Sequence, residues 1–311
     1  MLNRRILRIK AFKTIYSYAE NPAMSLKEAL SELDASCEST RDLYLYLLSL
    51  VPALTSEASG RVSAAMGKFN PSEEELHPNT RFMDNAIARI LSEDPDFVKI
   101  LSRKKLSWDQ NDAFLRHLYD TVRSSAYYEA YMSAPRTDLR SDAALWADLF
   151  AAELPDNDEL AEILEDMSIH WNDDLEYAVN VCCFSFDDLG RGKPWHLPEL
   201  YLSDSRKGDP DVQSDRDFVR KLTTCAYNGF GRYVGWIQAS VPGWDGDRLF
   251  APDVALIVTG LAEAENFPEI PPRVSLNEYV EISKYYGTPK SRQFVNGLLD
   301  KLIKSELKLN I

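Results

Sequence analysis

The strongest constraint on the fold is a pair of helix patterns that meet at one glycine near the end of the chain. In "VSLNEYVEISKYYG", Ser275 and Glu278 have the spacing of a capping box, and Gly287 fits a left-handed C-terminal cap. Thr288 and Pro289 then suit the N-cap and the first position of a second helix. The sequence therefore predicts two helices joined by a tight corner.

The second of these helices has one apolar face. Its apolar residues recur at helical spacing, namely Phe294, Val295, Leu298, Leu299, Leu302 and Ile303. Gly297 lies beside this stripe, although a glycine inside a helix costs about 1 kcal/mol relative to alanine. We therefore expect the backbone of another element to approach closely at Gly297.

Helix patterns dominate the whole sequence, whereas strand alternation and hairpin turn signals are scarce, so the predicted fold class is all-α. A chain of 311 residues with 45% hydrophobic residues can fill one large core or two smaller ones. The longest nearly apolar run, "LYLYLLSLVPAL", is too short to cross a bilayer. The four cysteines include no C-x-x-C pair and suit a reducing compartment, so we expect a cytoplasmic protein without a membrane segment.

A faint internal repeat occupies the middle of the chain. Residues 79–108, 142–171 and 215–244 have the same length and align without a gap. Their turn-forming segments "SEDPD", "PDNDE" and "NGFGR" coincide, and each copy ends on a tryptophan. This pattern predicts three helical hairpins. The plainer alternative is that amphipathic helices align their apolar residues by chance.

Charge is distributed unevenly along the chain. Residues 1–13 carry five cations and no acid, and residues 284–308 carry six cations and two acids. Since the whole chain has a net charge of −14, the interior carries −23. The two ends would form one basic patch if the fold brings them together, while the interior repels polyanions. Alternatively, the basic ends are solubilising tails.

Motifs for catalysis or cofactor binding are missing from the sequence. It contains no phosphate-binding loop, dinucleotide-binding turn, zinc-protease helix or nucleophile elbow. His170 and His196 lie nearest to Cys182 and Cys183, but their spacing matches no metal-ligand pattern. We therefore predict no catalytic residue, no metal site and no cofactor.

The basic N-terminal helix indicates binding of an anion rather than catalysis. Arg4, Arg5 and Arg8 fall within one quadrant of a helix surface. Cations in a first turn oppose the helix macrodipole, so we expect an anion beside them, and nucleic-acid phosphate would supply it. The amide groups at a helix start near Lys290 and Ser291 form a second anion site. The two sites make one RNA groove only if they are adjacent.

Two stretches carry a resemblance to a known family. The segment "IPPRVSLNEYVEISKYYGTPKSRQFVNGLLDKL" (270–302) resembles the C-terminal signature of the NusB family of bacterial transcription antitermination factors. The segment "NRRILRIKAFKTIYSY" is similar to that family's Arg-rich first helix, including the aromatic Tyr16. On this resemblance the chain is identified as a long, Bacteroidetes-type member. The similarity covers about residues 1–55 and 210–303.

The resemblance implies a NusB-like helical bundle of two subdomains with an inserted set of helical hairpins. Residues 1–60 and 211–311 would then be NusB-like helices, and residues 61–210 would be the insertion. The implied function is non-enzymatic. The protein would bind single-stranded boxA-like RNA from ribosomal RNA leaders together with NusE, a small-subunit ribosomal protein. This complex would join elongating RNA polymerase through other Nus factors.

The resemblance also implies site residues. Those expected to bind RNA are Arg4, Arg5, Arg8, Lys290, Ser291 and Arg292. Those expected to bind the NusE partner are Glu263 and Tyr16. The family usually carries an Arg and a Tyr where this chain has Val258 and Ala262, a departure that bears on NusE docking.

Two further hypotheses come from other classes. In one, the chain keeps the fold as a protein-interaction scaffold and has lost specific RNA binding. In the other, it is the RNA-docking part of a ribosomal RNA methyltransferase, which we place last because no nucleotide-fold segment follows Ile311. Family members occur as monomers and as dimers, so a homodimer is one of two expected states.

Overall fold

The computed structural model describes residues 1–136, 138–171, 173–201, 214–241 and 250–310. These residues contain no β-strand apart from a single parallel bridge between Leu2 and Tyr201, which confirms the all-α prediction. The helices are α1 (Arg4–Glu20), α2 (Leu26–Met66), α3 (Glu73–Leu76), α4 (Ala86–Glu93), α5 (Pro95–Lys104), α6 (Asp112–Arg123), α7 (Ala126–Ser133), α8 (Leu139–Glu153), α9 (Asp158–Met167), α10 (Leu175–Gly190), α11 (Asp215–Ser240), α12 (Ala251–Asn266), α13 (Pro272–Tyr286) and α14 (Ser291–Ser305). No described helix is both long enough and apolar enough to span a bilayer.

The chain forms two compact units. Unit 1 comprises Met1–Cys37 and Glu199–Ile311, and unit 2 comprises Glu38–Pro198. Unit 1 therefore holds α1, the start of α2 and α11 to α14, whereas unit 2 holds the rest of α2 and α3 to α10. These limits follow packing, whereas the segments predicted above follow family similarity. The assignment of residues 61–210 as an insertion stays a prediction.

In unit 1, α12 is the central helix. It packs against α1, α11, α13 and α14, and every residue from 255 to 264 is buried. Gly260 permits this packing, because a Cβ atom there would lie 2.9 Å from Leu299 Cδ2 and 3.1 Å from Tyr279 Cδ2. The close approach predicted at Gly297 is wrong. Gly297 is exposed, and no described atom lies within 4 Å of the position its Cβ would take.

The start of α13 differs from the prediction. The helix begins at Pro272, with a proline in its first turn, so Ser275 and Glu278 lie inside the helix and do not form a capping box. Their side chains bond to other helices instead. Ser275 Oγ donates to Glu263, and the Glu278 carboxylate accepts from Arg5. Tertiary partners have therefore displaced the local cap.

The corner between α13 and α14 is present, but its geometry differs from the prediction. Gly287 is extended, with φ −109° and ψ 176°, so it is not a left-handed cap. A glycine is still needed, because a Cβ atom would lie 2.3 Å from Ser291 Cβ and 2.6 Å from the Ser283 carbonyl oxygen. The second helix begins at Ser291, two residues after the predicted start at Pro289.

Two of the three predicted helix–turn–helix units have their turn where it was predicted, and both lie in unit 2. Helices α4 and α5 meet at Asp94 within "SEDPD", and α8 and α9 are separated by the turn in "PDNDE". The tryptophans that close these two copies both pack on Tyr46 of α2. The ring centroids of Trp108 and Trp171 lie 4.1 Å and 5.6 Å from that of Tyr46. The shared tryptophan therefore has a shared structural role in both hairpins.

The third hairpin prediction is wrong, because α11 continues through "NGFGR" without a turn. Its buried residues Leu222, Ala226, Tyr233 and Ile237 stay in phase on one helix face. That face packs against α1 and α12. Burial of this stripe outweighs the cost of two glycines at roughly 1 kcal/mol each. The predicted closing residue, Trp244, lies outside the described residues.

A buried ion pair fixes α1 to the rest of unit 1. Arg8 Nε and Nη2 donate to the two oxygens of Glu263 at 2.8 Å and 3.0 Å. Ser275 Oγ donates to the same carboxylate at 2.7 Å, and the Tyr279 hydroxyl donates to it at 3.2 Å. Burial alone would lower the pKa of Arg8, but the hydrogen bond to Glu263 and the charges of Glu263 and Glu278 together outweigh it, so the pKa is raised and Arg8 stays cationic. We call Arg8, Glu263, Ser275 and Tyr279 the Glu263 cluster.

The two glycines give a first prediction. Gly260→Ala should destabilise unit 1, because overpacking a core costs about 1–3 kcal/mol and the gain in helix propensity is smaller. Gly297→Ala should stabilise it by about 1 kcal/mol, because the new methyl group enters open space. Chemical denaturation would measure the free energy of unfolding of both variants. Hydrogen exchange of the α12 amides would show whether the change lies in unit 1. Equal effects of the two substitutions would contradict the packing described here.

The Glu263 cluster gives a second prediction. Arg8→Ala should destabilise unit 1 by about 3–5 kcal/mol, because it leaves Glu263 buried without its cation. Arg5→Ala is the matched control and should cost about 0–1 kcal/mol, since its ion pair is exposed. Hydrogen-exchange protection of the α12 amides would compare them. A similar loss from both variants would exclude a special role for the buried pair.

Candidate nucleic-acid interface

The N-terminus of α1 places two arginines at the surface of unit 1. Asn3 is the N-cap and accepts a hydrogen bond from the Ile6 amide at 3.0 Å. The first turn that follows contains no acidic residue. The side chains of Arg4 and Arg5 are 39% and 55% exposed, whereas that of Arg8 is 6% exposed. Of the three predicted arginines, two therefore reach solvent.

The anions expected beside these arginines come from the protein itself. Arg4 Nε lies 2.6 Å from Asp215 Oδ1 on α11, and its guanidinium lies 4.1 Å above the Phe218 ring. Arg5 forms two hydrogen bonds with Glu278 on α13, at 3.0 Å and 2.9 Å. With the Arg8–Glu263 pair, each arginine of α1 bonds a carboxylate from a different helix. A bound phosphate would have to compete with these carboxylates.

At the start of α14 the predicted residues divide into two groups. Ser291 is buried, its hydroxyl donates to Asp253 Oδ2 at 2.8 Å, and it accepts from the Thr288 amide at 2.8 Å. Lys290 and Arg292 are exposed, and within the described ranges neither side chain forms an ion pair. Ser291 therefore shapes the turn, while its two neighbours present charge to solvent.

The backbone at this helix start also offers donors. α14 has no side-chain N-cap, and the amides of Arg292 and Gln293 donate no hydrogen bond to a described residue. Amides at a helix N-terminus favour an anion, particularly with cationic side chains beside them. The start of α14 therefore has both the donors and the charge to bind a phosphate group.

The two basic regions meet across one face of α13. Glu278, Glu281 and Tyr285 follow one another at spacings of three and four residues, so they share a helix face. Arg5 bonds the Glu278 end of this face. The pKa of Glu281 is lowered mainly by the hydrogen bond from Lys284, and further by the charges of Arg292 and Arg5. Arg5 therefore bonds this face directly, and the charge of Arg292 acts on it as well.

We call this surface the α13 face: Glu278, Glu281 and Tyr285, flanked by Arg5 and Arg292. The hydrogen bond from Arg5 lowers the pKa of Glu278, so this carboxylate is ionised at neutral pH. Asp253, beneath the start of α14, differs because burial raises its pKa. Its Oδ1 atom is buried and has no hydrogen-bond partner in the described structure.

The predicted NusE-binding residues take different positions. Tyr16 is half-buried on α1 and reaches the surface of unit 1 in part. Glu263 is completely buried in the cluster with Arg8, and Val258 and Ala262 are completely buried as well. A direct contact between Glu263 and a partner is therefore inconsistent with this structure. Its role in this structure is to pair with Arg8 inside unit 1, which the motif alone does not reveal.

The two units also differ in charge. Of the 49 acidic and 35 basic residues, 29 acidic and 15 basic residues lie in unit 2. Unit 2 therefore carries the whole net charge of −14, and unit 1 is neutral. Among the described residues no group of three or more potential ligands has the arrangement of a metal site. All four cysteines are free thiols.

Sequence reasoning missed the acidic half of this surface. Glu278 was interpreted as a helix cap, and Asp215 was not assigned any role. The available signal was the charge pattern: three arginines on one helix face of a folded domain need counter-charges within it. Tyr285 was also missed, although it lies between the two predicted anion sites in sequence and is 80% exposed.

Comparisons with known proteins agree with the sequence resemblance. The model of the NusB family matches residues 196–304. The transcription antitermination protein NusB of Methylacidiphilum infernorum is 44% identical over 68 residues, which is 22% of this chain and 48% of that protein. The NusB of Salinibacter ruber is 34% identical over 90 residues, 29% of this chain and 56% of that protein. No solved structure matches.

The matched lengths differ among relatives. The chain spans about half the length of the two proteins named above. It covers 80% of the NusB of Listeria monocytogenes serotype 4b, with 32% identity over 103 residues, which are 33% of this chain. A relative covered so completely, together with the matched family model and the all-α structure, establishes that this chain belongs to the NusB family.

Proposed function

We propose that this protein is a non-enzymatic transcription antitermination factor that binds single-stranded, boxA-like RNA along the α13 face. In this proposal it acts in the cytoplasm with NusE, and the complex joins elongating RNA polymerase through other Nus factors. The observation that carries the proposal is the geometry of α13: Arg5 of α1 bonds Glu278 on this helix, and the exposed Lys290 and Arg292 stand at the start of α14, directly after the corner that ends it. Family membership supports it independently.

Direct contacts with phosphate are proposed for four exposed side chains: Arg4, Arg5, Lys290 and Arg292. Exposed ion pairs contribute only about 0–1 kcal/mol, so a phosphate can replace Glu278 at Arg5 at little cost. The free amides at the start of α14 would add hydrogen bonds to the strand. The resulting site combines charge with backbone donors.

Positioning roles are proposed for the two buried residues of the predicted RNA set. Arg8 fixes the direction of α1 through the Glu263 cluster, and Ser291 fixes the turn that exposes Lys290 and Arg292. Glu263 acts in the same way, by holding Arg8. For NusE docking, Tyr16 is the remaining candidate among the predicted residues, because it is partly exposed.

We further propose that residues 61–210 are an insertion into the family fold. The family model begins at residue 196, and the two hairpins closed by Trp108 and Trp171 precede it. The charge of −14 on unit 2 favours a role other than RNA binding, because a polyanion is repelled by it. If the chain binds no RNA, the scaffold hypothesis takes precedence.

A binding titration tests the proposed function. The full chain is mixed with boxA-like and scrambled single-stranded RNA of about ten to twelve nucleotides, at two salt concentrations, with and without NusE. We expect tighter binding of the boxA-like strand, weakening with salt, and further tightening with NusE. Equal, negligible binding of both strands in all conditions would exclude the proposal.

The exposed cations generate a third prediction. Arg5→Ala, Lys290→Ala and Arg292→Ala should each weaken RNA binding and reduce the slope of log K against log salt by about 0.7. Arg103→Ala is the matched control, because Arg103 is an exposed arginine of unit 2. It should leave both quantities unchanged. If Arg103→Ala had the same effect as Arg5→Ala, only non-specific charge would be involved.

The Glu278 carboxylate generates a fourth prediction. Glu278→Gln should raise RNA affinity about two- to fivefold, because it releases Arg5 and removes a repelling charge. Glu57→Gln is the matched control, since Glu57 also pairs with an arginine, Arg61, and is equally exposed, at 22% against 20%. Anisotropy titration at fixed salt would measure both. Equal affinity of Glu278→Gln and wild type would exclude competition at Arg5.

The same substitution has an effect on stability whose sign follows from the lowered pKa of Glu278. A carboxyl group with a depressed pKa in the folded state stabilises the fold above its ordinary value of 4.5 and loses this contribution as the pH falls. Glu278→Gln should therefore flatten the acid limb of the unit 1 unfolding profile. Its affinity effect should be unchanged between pH 6 and pH 8.

A further inference from the structure

We propose that Tyr285 is a stacking platform for a base of the bound strand and raises the affinity of the site without selecting its sequence. This inference rests on the proposed function, because it needs a single-stranded nucleic acid on the α13 face. The occupant we propose is one unpaired base of the RNA whose phosphates contact Arg5 and Arg292.

The first support is the contrast between two neighbouring tyrosines. Tyr286 packs into unit 1, with its ring centroid 5.3 Å from that of Phe12 and 5.2 Å from the Lys13 ammonium. Tyr285 is 80% exposed, and no described ring or cation packs on it. A large aromatic side chain in full solvent contributes nothing to the core. Its ring is therefore open to contact with a ligand.

The second support is its position. Tyr285 lies on the same helix face as Glu278 and Glu281, four residues beyond Glu281, so it stands between Arg5 and the start of α14. With cations on either side of the exposed ring, two phosphates of a single strand could contact the cations while the unstacked base between them contacts the ring.

The third support is the chemistry of single-strand recognition. Every base has a π face, so stacking on an aromatic ring adds affinity for any sequence. Cationic side chains beside the ring hold the backbone, and unpaired bases are free to leave the strand and stack. Unit 1 is neutral overall, so its affinity for RNA cannot come from long-range charge alone. A stacking residue supplies attraction that salt does not screen.

The test uses substitutions that separate stacking from charge. Tyr285→Ala should weaken binding of boxA-like and scrambled RNA by a similar factor of roughly ten, and should leave the salt slope unchanged. Tyr285→Phe should bind like wild type, because the ring is retained, whereas Tyr285→Leu should stay weak. Phe184→Ala is the control, since Phe184 is 69% exposed in unit 2. It should have no effect.

A strand with single abasic sites identifies the stacked base. One abasic position should weaken binding to wild type and cause no further loss with Tyr285→Ala, because the same contact has already been removed. Additive losses at every position would contradict stacking. The side chain is exposed, so Tyr285→Ala should retain the wild-type unfolding transition, which excludes misfolding as the cause.

The outcomes distinguish this inference from the function on which it depends. If wild type binds RNA and Arg5→Ala weakens it while Tyr285→Ala does not, the inference is overturned and the proposed function stands. If Tyr285→Ala weakens only NusE binding, the ring contacts protein and the inference is again overturned. If wild type binds no single strand, both fail together.

Discussion

The architecture of unit 1 depends on one buried carboxylate. Glu263 lies in the last turn of α12, the helix around which the unit packs, and receives hydrogen bonds from Arg8, Ser275 and Tyr279. A buried charge is tolerated only when it is paired and fully hydrogen-bonded. The requirement ties α1 and α13 to α12. It also fixes which turn of α1 emerges from the unit, and hence where Arg4 and Arg5 stand.

Arginine–carboxylate pairing also determines the charge of the surface near α1, but there the carboxylates are more exposed. Asp215 and Glu278 neutralise Arg4 and Arg5 without burying them. Such pairs hold the guanidinium groups in place before a ligand arrives, which reduces the conformational entropy lost on binding. They also lower the positive potential of the site. These ion pairs therefore preorganise the arginines but weaken their electrostatic attraction for a ligand. A ligand that also forms hydrogen bonds or stacks on a ring would compensate for this loss.

The extent to which sequence predicted this structure depends on where each interaction partner lies. The all-α class and the hairpins at "SEDPD" and "PDNDE" follow from local periodicity and turn residues, and the structure contains them. The capping box at Ser275 failed because its side chains were taken by Glu263 and Arg5, residues that are distant in sequence. The turn at "NGFGR" failed because burial along α11 overrode the local preference of glycine.

The candidate site shows the same division. The motif names Arg5, Lys290 and Arg292, and all three are exposed on unit 1, while their role in RNA binding stays a prediction. The role of each residue could not be predicted from the motif, because the sequence does not show which side chains are buried. Arg8 and Ser291 have the same residue types as surface ligands, yet each is held inside by a carboxylate, Glu263 or Asp253. Residue type indicated the chemistry, and only packing decided which groups face the solvent.

The location of charge within the chain bears on how such a site would discriminate. Unit 2 carries −14 and unit 1 is neutral, so long-range attraction of RNA to this protein is weak. In the proposed site, short-range contacts would then supply most of the affinity: hydrogen bonds from the start of α14, bidentate pairing at Arg5 and stacking at an exposed ring. These contacts require a strand with accessible bases and correctly spaced phosphates. If the proposed function holds, such a site would favour a single strand over a duplex, whose bases are already stacked and whose phosphates would meet no strong positive field.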